Sequence, residues 1–335
     1  MATLQSTAGK GAQLAICMLT VLMVPWSPVR ASRPIEEHRS AGPQGDVEIV
    51  NVSGSVEVDG WDRGEVDVAG TAGDNVERVD VTSAGNRTSI RVVSRSGHSW
   101  GSDGEALLVV HVPAKSSVTA SLVSADLKVA GLQGDLNLQT VSGSVRGETG
   151  GNVHATTVSG DVRLTARSAT NIEIRTISGG IHFTGGGGEV DISTVSGTST
   201  IELAEVTRGR FKSISGDLAA ELALGTGGQI ESESVSGDVG FKFASAPAAE
   251  FDVQTISGDI DNCFGPKPTT AQYGPGSRLQ FTNGEGRGRV RIATKSGDVR
   301  LCSKDAKARR QADADGRRAA LAQNARSALI VPYVY

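Results

Sequence analysis

The chain has 335 residues, a formal net charge of −4 and only 4% aromatic residues. Its 43 glycines and 10 prolines fit many tight turns between short strands and exclude a collagen repeat. No basic stripe with interleaved aromatic residues is present, so nucleic acid is not an expected partner. We therefore expect a β protein whose core is built from small, β-branched side chains.

Residues 1–31 are predicted to be a signal peptide. Lys10 supplies a positive charge, Ala12 to Val24 form an apolar run, and Val29-Arg30-Ala31 offers a small-residue cleavage site. The apolar run is too short to span a membrane comfortably. We therefore predict an exported protein, in the periplasm or at the cell surface, with no transmembrane anchor after cleavage. Residues 32–45 are predicted to be a linker.

An internal repeat dominates the rest of the chain. Its motif is Val or Ile, then Ser, Gly and often Asp, and successive motif serines lie 17 to 21 residues apart between positions 124 and 257. A ninth copy follows after 39 residues, and an isolated relative, Val52-Ser53-Gly54-Ser55, precedes the series. The predicted structural residues of the repeat are Ser124, Ser142, Gly143, Ser159, Gly160, Ser178, Gly179, Ser196, Gly197, Ser215, Gly216, Ser236, Gly237, Ser257, Gly258, Ser296 and Gly297.

Apolar residues alternate with polar ones on both sides of each motif. Ile172 and Ile174 precede Ser178, for example, and Ile181 and Phe183 follow it. A period of two predicts strands with one buried face. Because the phase of the alternation switches at the motif, the chain must turn a corner there. The pattern predicts an all-β fold for residues 116–302: a β-solenoid, or β-helix-like stack, of about nine coils of 17–21 residues.

The segments on either side of the repeats read differently. Residues 46–115 contain less regular strands and are predicted to form an N-terminal β unit that covers the first open edge of the stack. Residues 303–335 are a charged tail rich in Ala and Arg. Two interpretations of this tail remain open: a helical cap on the far end of the stack, or a disordered segment.

Two cysteines remain after removal of the signal peptide. Cys263 and Cys302 each lie six residues after a motif serine, so they occupy the same position in two coils. If these coils are adjacent, the Cα atoms lie about 5 Å apart and a disulfide forms. If another coil intervenes, the bond is impossible. We predict the disulfide.

Several aspartates share the position two residues after the motif serine. Asp217, Asp238, Asp259 and Asp298 would form a row at the C-terminal end, and Ca²⁺ could relieve their mutual repulsion. Asp is also an ordinary turn residue beside Gly. The turn interpretation is favoured, and we predict no cofactor and no metal apart from this less favoured calcium site.

The repeated serine does not indicate an enzyme. A nucleophilic serine needs a positioned base, and the histidines at 38, 98, 111, 154 and 182 share no position in the repeat. No carboxylate pair stands out as the acid and base of a glycosidase. We therefore predict no enzymatic activity and no catalytic residue, with a carbohydrate-active β-helix enzyme as a remote alternative.

Residues 47–62, the serial Thr-Val-Ser-Gly-Asp-Val copies, Asn262-Cys263-Phe264-Gly265-Pro266 and Tyr273-Gly274-Pro275-Gly276 resemble the bacterial DUF4097 β-strand repeat family, whose members are often labelled adhesins. The resemblance spans about residues 45 to 302. It implies a cell-envelope protein with a solenoid-like β fold and no catalytic residues. Two functions follow as alternatives: an adhesin or surface binding module for a glycan or protein, and a periplasmic scaffold or envelope-stress accessory protein.

Overall fold

The computed structural model describes residues 33–95, 105–270 and 276–304. The predicted signal peptide (1–31) and residues 305–335 of the predicted tail lie outside the described residues. Within them, no helix is long and apolar enough to cross a membrane. The strands are β1 (Arg33–Ser40), β2 (Asp46–Trp61), β3 (Glu65–Ala72), β4 (Val76–Ala84), β5 (Arg87–Ser94), β6 (Ala106–Pro113), β7 (Ser117–Leu132), β8 (Leu136–Ser142), β9 (Val145–Thr149), β10 (Val153–Ser159), β11 (Val162–Ala166), β12 (Asn171–Ser178), β13 (Ile181–Gly185), β14 (Gly188–Ser196), β15 (Ser199–Ser215), β16 (Leu218–Ser236), β17 (Val239–Phe243), β18 (Ala249–Ser257), β19 (Ile260–Asn262), β20 (Thr269–Thr270), β21 (Ser277–Thr282), β22 (Gly288–Ser296) and β23 (Val299–Ser303).

Each coil of the repeat consists of two strands joined by a corner at the motif. Strand β7 shows the arrangement in one continuous segment, because alternate residues are buried up to Leu122 and again from Ala125. Val123 and Ser124 between them are both exposed. The alternation of buried and exposed residues therefore changes phase at this pair. The buried sets from both halves of the coil belong to one hydrophobic cluster. The predicted corner therefore exists, and it directs both strands' apolar faces inward.

Neighbouring coils pair in parallel, with their motifs in register. Ser159 lies opposite Ser142 on one side and Ser178 on the other, and the same pairing joins Ser196 to Ser215 and Ser215 to Ser236. The fold is therefore an all-β solenoid-like stack, as the repeat predicts. In-register stacking also places identical positions of successive coils in rows about 4.8 Å apart.

The motif glycine is required by this stacking. Gly197 has a φ of +122°, and a Cβ atom on it would lie 2.3 Å from the carbonyl oxygen of Gly179 in the neighbouring coil. A side chain would therefore meet both an unfavourable backbone conformation and an immovable backbone atom. The glycine lets consecutive corners approach to hydrogen-bonding distance, as where the Gly197 amide donates to the Ser215 carbonyl.

The N-terminal segment contains the first coil of the stack. Strand β2 pairs with β7 along its length, and Ser53 lies opposite Ser124, so the isolated motif is in register with the others. Strands β5 and β6 pair with the two halves of β2 on its other side, and β4 and β3 then pair antiparallel with them. The outer part of the 46–115 segment thus covers an open edge of the stack. The first strand of this segment, β2, forms the first coil of the solenoid.

The predicted linker at residues 32–45 is wrong in part, because β1 lies within it. Strand β1 pairs antiparallel with β3 from Arg33 to Ser40, and its partly buried Ile35 packs against the core. A single apolar residue among charged ones gives a weak strand signal. The strand forms because β3 offers it an unpaired edge.

The last coil in the sequence is not the last coil in space. Strand β22 pairs with β16 on one side and with β18 on the other, and β23 likewise lies between β17 and β19. The chain first forms the outer coil of β18 and β19 and then returns to fill the gap. Strand β21 pairs antiparallel with the outer edge of β18, and β20 pairs with β21.

The structure contains the disulfide between Cys263 and Cys302. Their Cα atoms lie 4.8 Å apart, because β19 and β23 are adjacent and the Cys263 amide donates to the Leu301 carbonyl. No further coil lies between the two, and the long connection from 263 to 287 contains β20 and β21 instead. The bond therefore joins the outer coil to the inserted one.

We expect Gly197→Ala to lower the stability of the stack by about 2–4 kcal/mol, because the strained φ and the backbone contact add. Gly240→Ala is the matched control, since its Cβ would meet its nearest neighbour, the Leu218 carbonyl oxygen, at 3.7 Å. Urea denaturation followed by circular dichroism measures both changes. Equal denaturation midpoints for the two variants would contradict the role of the corner glycine.

Candidate functional site

The corners of the stacked coils expose a row of aliphatic side chains. The residue directly before each motif serine is Val or Ile in eight successive copies, and each is between 36% and 61% exposed. We call this row, with the motif residues that follow it, the corner edge. Its aliphatic members are Val123, Val141, Val158, Ile177, Val195, Ile214, Val235 and Ile256.

Buried hydroxyl groups hold the corner edge in place from beneath. The residue before each of these aliphatic side chains is a buried Thr or Ser in most coils. The Thr194 hydroxyl donates to the Ser196 carbonyl, 3.2 Å away, and the Ser213 hydroxyl donates to the Gly216 carbonyl at 3.0 Å. The buried hydroxyl groups of Thr157, Thr176 and Ser234 have no hydrogen-bond partner among the described residues. Because the side chain of each Thr or Ser points inward, the neighbouring Val or Ile points outward.

The motif aspartates form hydrogen bonds from coil to coil. An oxygen of Asp217 accepts the Asp238 amide, one of Asp238 accepts the Asp298 amide, and one of Asp298 accepts the Asp259 amide, each at 2.9 Å. The order of this row follows the inserted coil, so Asp298 stands between Asp238 and Asp259. Each carboxylate thus caps the corner of the next coil, as in a capped turn.

Asp161 occupies the same position further along the edge. Its carboxylate accepts the Gly180 amide at 2.9 Å and pairs with the Arg163 guanidinium at 3.0 Å. The amide hydrogen bond, followed by the bond to Arg163, lowers the pKa of Asp161 below its ordinary value of 3.8. Both partners favour the charged form, so the carboxylate is ionised at neutral pH and acts as a structural acceptor.

The structure gives no support to the less favoured calcium site. Among the described residues, no three His, Cys, Asp or Glu side chains converge in a way that could hold a metal ion. Asp217, Asp238 and Asp298 each have an oxygen that accepts a backbone amide. Calcium at these three residues and Asp259 stays the less favoured of the two sequence interpretations.

The two outer faces of the stack carry compensated charge. Lys242 pairs with Glu221 at 2.7 Å, Lys212 with Glu233 at 3.1 Å, and Lys128 with Glu57. Each pair joins neighbouring coils across an exposed surface, where such pairs contribute little to stability and are screened by salt. These faces therefore present neither a basic nor an acidic stripe, and the aliphatic row of the corner edge differs from them by being apolar.

A groove runs beside the C-terminal half of the corner edge. Its volume is about 970 Å³, and the hairpin strands β20 and β21 form its far wall through Thr270, Ser277 and Arg278. Lys295 of the inserted coil lies between Val235 and Ile256 and adds a cation to the lining. The aliphatic floor consists of Val195, Ile214, Val235 and Ile256.

Three histidines, His38, His111 and His154, lie beside carboxylates and not beside the motif serines. His154 lies 2.8 Å from Glu173, and Asp67 lies between His38 at 2.6 Å and His111 at 3.7 Å. His98 lies outside the described residues.

The predicted repeat serines and glycines lie together in one row along the stacked corners. The exposure of the Val and Ile residues before them was not anticipated from the sequence. The sequence did carry a signal for this exposure, because eight successive copies have an aliphatic residue at a turn, where polar residues are usual.

We expect Asp161→Asn to destabilise the protein at neutral pH and to have a shrinking effect as the solution is acidified. Because the pKa of Asp161 is lowered in the folded state, its stabilisation is present above the unfolded value and is lost as pH falls through the folded value. Thermal melts of both proteins between pH 7 and pH 3 measure the difference. Asp259→Asn, at the end of its row, is the control, and a difference that is constant with pH would contradict this role.

The stacked corners and in-register motifs define an all-β solenoid repeat protein. The family model described as Toastrack DUF4097 matches residues 45–302, which is most of the chain. The chain belongs to this family, as the sequence resemblance indicated. A search of curated proteins finds no match.

Several crystal structures match this chain at low identity. A "putative adhesin" from Parabacteroides distasonis is 14% identical, with 81% of this chain and 98% of that chain covered and a TM-score of 0.48. A second "putative adhesin", from Bacteroides fragilis, is 10% identical over 81% and 98%, with a TM-score of 0.41. A "putative lipid binding protein" from P. distasonis is 10% identical over 80% and 96%, with a TM-score of 0.33. Identities and scores this low give no ground for transferring a function.

Proposed function

We propose that this protein is a non-enzymatic, exported binding module of the cell envelope, an adhesin or surface-binding protein that contacts its partner through the corner edge. The observation that carries the proposal is the row of eight exposed Val and Ile side chains. Seven of them, from Val123 to Val235, follow one another on adjacent coils, and Lys295 separates the eighth, Ile256, from Val235. A line of half-exposed aliphatic residues is unusual on a soluble protein and marks an interaction surface. Covering each one would add about 1 kcal/mol of hydrophobic free energy.

The polar groups beside this row support recognition of a glycan or protein partner. Exposed motif serines follow the aliphatic side chains directly, and their hydroxyl groups both donate and accept hydrogen bonds. Repetition along the row offers the same small contact many times, which favours a partner with its own repeat through multivalency. The compensated charges of the outer faces offer no comparable surface.

The cellular location is the first test of this proposal. We expect protease applied to intact cells to cleave an epitope inserted at Gly227, where a Cβ would have no neighbour within 4 Å, while a periplasmic control protein stays intact. Protection of the epitope until the outer barrier is opened would contradict the adhesin proposal. That outcome would favour the periplasmic scaffold or envelope-stress accessory instead.

The second test is binding by the purified protein on arrays of glycans and extracellular-matrix proteins. We expect Val158→Asp with Ile177→Asp to weaken binding at least tenfold, because two charges would interrupt the aliphatic row. Asn137→Asp with Thr165→Asp places the same charges on the exposed outer faces of nearby strands and serves as the matched control. Equal loss in both double variants, or none in the first, would contradict binding through the corner edge.

A further inference from the structure

The groove beside the C-terminal half of the corner edge differs chemically from the rest of that edge. None of the motif serines of the described coils contributes to its lining. Its floor is formed by the residues that precede each serine, and the aliphatic ones among them are 40% to 61% exposed. The groove is therefore a separate surface from the one that the motif serines share.

The lining of the groove is cationic, although the chain as a whole has a net charge of −4. Its charged members are the cations Lys212, Arg278 and Lys295 and one carboxylate, Glu233. Lys212 pairs with Glu233 at 3.1 Å, and Arg278 pairs with Asp252 at 3.3 Å. Lys295 has no ion pair with any residue that the structure describes. The groove therefore carries an uncompensated positive charge beside its aliphatic floor.

The strands beneath the floor have no free hydrogen-bonding edge. In the segments that line the groove, β15 pairs with β14 and β16, β22 lies between β16 and β18, and β18 also pairs with β21. A peptide lying across this floor would lose water from its own backbone without gaining hydrogen bonds from the sheet. An alkyl chain has no polar group to satisfy and gains free energy by covering the aliphatic side chains. The floor therefore favours an alkyl chain over a peptide.

The floor is long enough for one alkyl chain that ends at the unpaired cation. Val195, Ile214, Val235 and Lys295 lie on successive coils, so the first and the last are roughly 14 Å apart. An extended chain of about twelve carbons spans this distance. The groove volume of about 970 Å³ also lies within the usual range for small-molecule sites.

We infer that the groove binds one molecule of an amphiphile that has a single alkyl chain and an anionic headgroup, a carboxylate or a phosphate. The alkyl chain lies over Val195, Ile214 and Val235, and the Lys295 ammonium group binds the headgroup. The inference goes beyond the proposed function, because it assigns a small ligand to the C-terminal half of the corner edge. The half from Val123 to Ile177 remains for a glycan or protein partner.

Isothermal titration calorimetry of the purified protein with dodecyl phosphate, below its micelle-forming concentration, tests the inference. We expect one molecule to bind per chain. Dodecyltrimethylammonium has the same alkyl chain and the opposite charge, so it should bind at least tenfold more weakly. This comparison uses the unaltered protein and does not depend on the folding of any variant.

Two substitutions locate the ligand in the groove. We expect Val235→Asp to weaken the binding of dodecyl phosphate at least tenfold, whereas Val158→Asp, in the same row but outside the groove, should leave it unchanged. Lys295→Glu should weaken it at least tenfold and remove the preference for the anionic headgroup. Arg146→Glu, at an exposed cation outside the groove, is the matched control for this charge reversal. Circular dichroism checks that all four variants are folded.

Five results would overturn the inference. Absence of binding, equal affinity for the two headgroups, or equal losses in Val235→Asp and Val158→Asp would each do so. Uptake only onto micelles or anionic vesicles would assign the aliphatic row to a membrane surface. A ligand-free dimer that Val235→Asp dissociates would assign the groove to a second copy of the chain.

The proposed function is tested at Val158 and Ile177, which lie outside the groove. Loss of glycan or protein binding in that double variant does not depend on dodecyl phosphate, and dodecyl phosphate binding does not depend on those two residues. Failure of this inference and failure of the proposed function are therefore distinguishable.

Discussion

The structure depends on the close approach of successive corners. From Gly143 onward, the backbone of one coil lies so near the next at each corner that only a residue without a side chain fits, as at Gly160, Gly179 and Gly197. The first two coils instead meet at Gly54 and Ala125. This approach sets the register, because the motif can stack only on another motif. Register in turn aligns the buried Val, Ile and Phe side chains of each coil with those of the next, which builds one continuous core with few aromatic residues.

The same constraint explains the polar chemistry of the corner edge. Once the corners are in register, an aspartate carboxylate lies beside the next coil's amide, and a buried threonine hydroxyl lies beside a corner carbonyl. In the coils where these bonds form, they satisfy backbone groups at the sharpest bend of the chain. The position before the serine faces solvent, as does the serine itself. Stacking leaves the Val and Ile side chains at this position uncovered, which is why we assign binding to them.

The chain closes both ends of the stack in the same way. At each end the chain leaves the series, builds outer strands, and returns to pair with a coil that was already formed: β7 returns to β2, and β22 returns to β16. Antiparallel strands then cover the outer coils. Closure of this kind protects open edges that would otherwise pair with other chains, and the disulfide between Cys263 and Cys302 fastens the C-terminal closure.

Much of this fold was predictable, since a phase switch repeated at every motif specifies both the corner and the stack. The spatial order of the last coils was not predictable, because the motif at Ser296 fits equally well beside Ser236 or beyond Ser257. The disulfide does not distinguish these orders, since its cysteines lie in adjacent coils in both. Strand β1 was missed because its pattern is mostly charged. The connection opposite the corner is also part of the packed structure, since Gly186 and Gly187 are buried.

The position of the last coil tests the account most directly. In the structure Glu233 lies opposite Ala293, and Gln254 lies one strand further away beyond it. We predict that cysteines at 233 and 293 form a disulfide under mild oxidation, whereas cysteines at 233 and 254 do not, because two strand spacings exceed the reach of the bond. Efficient bonding of the 233 and 254 pair, without bonding of the 233 and 293 pair, would show that the coils stack in chain order and would contradict this account.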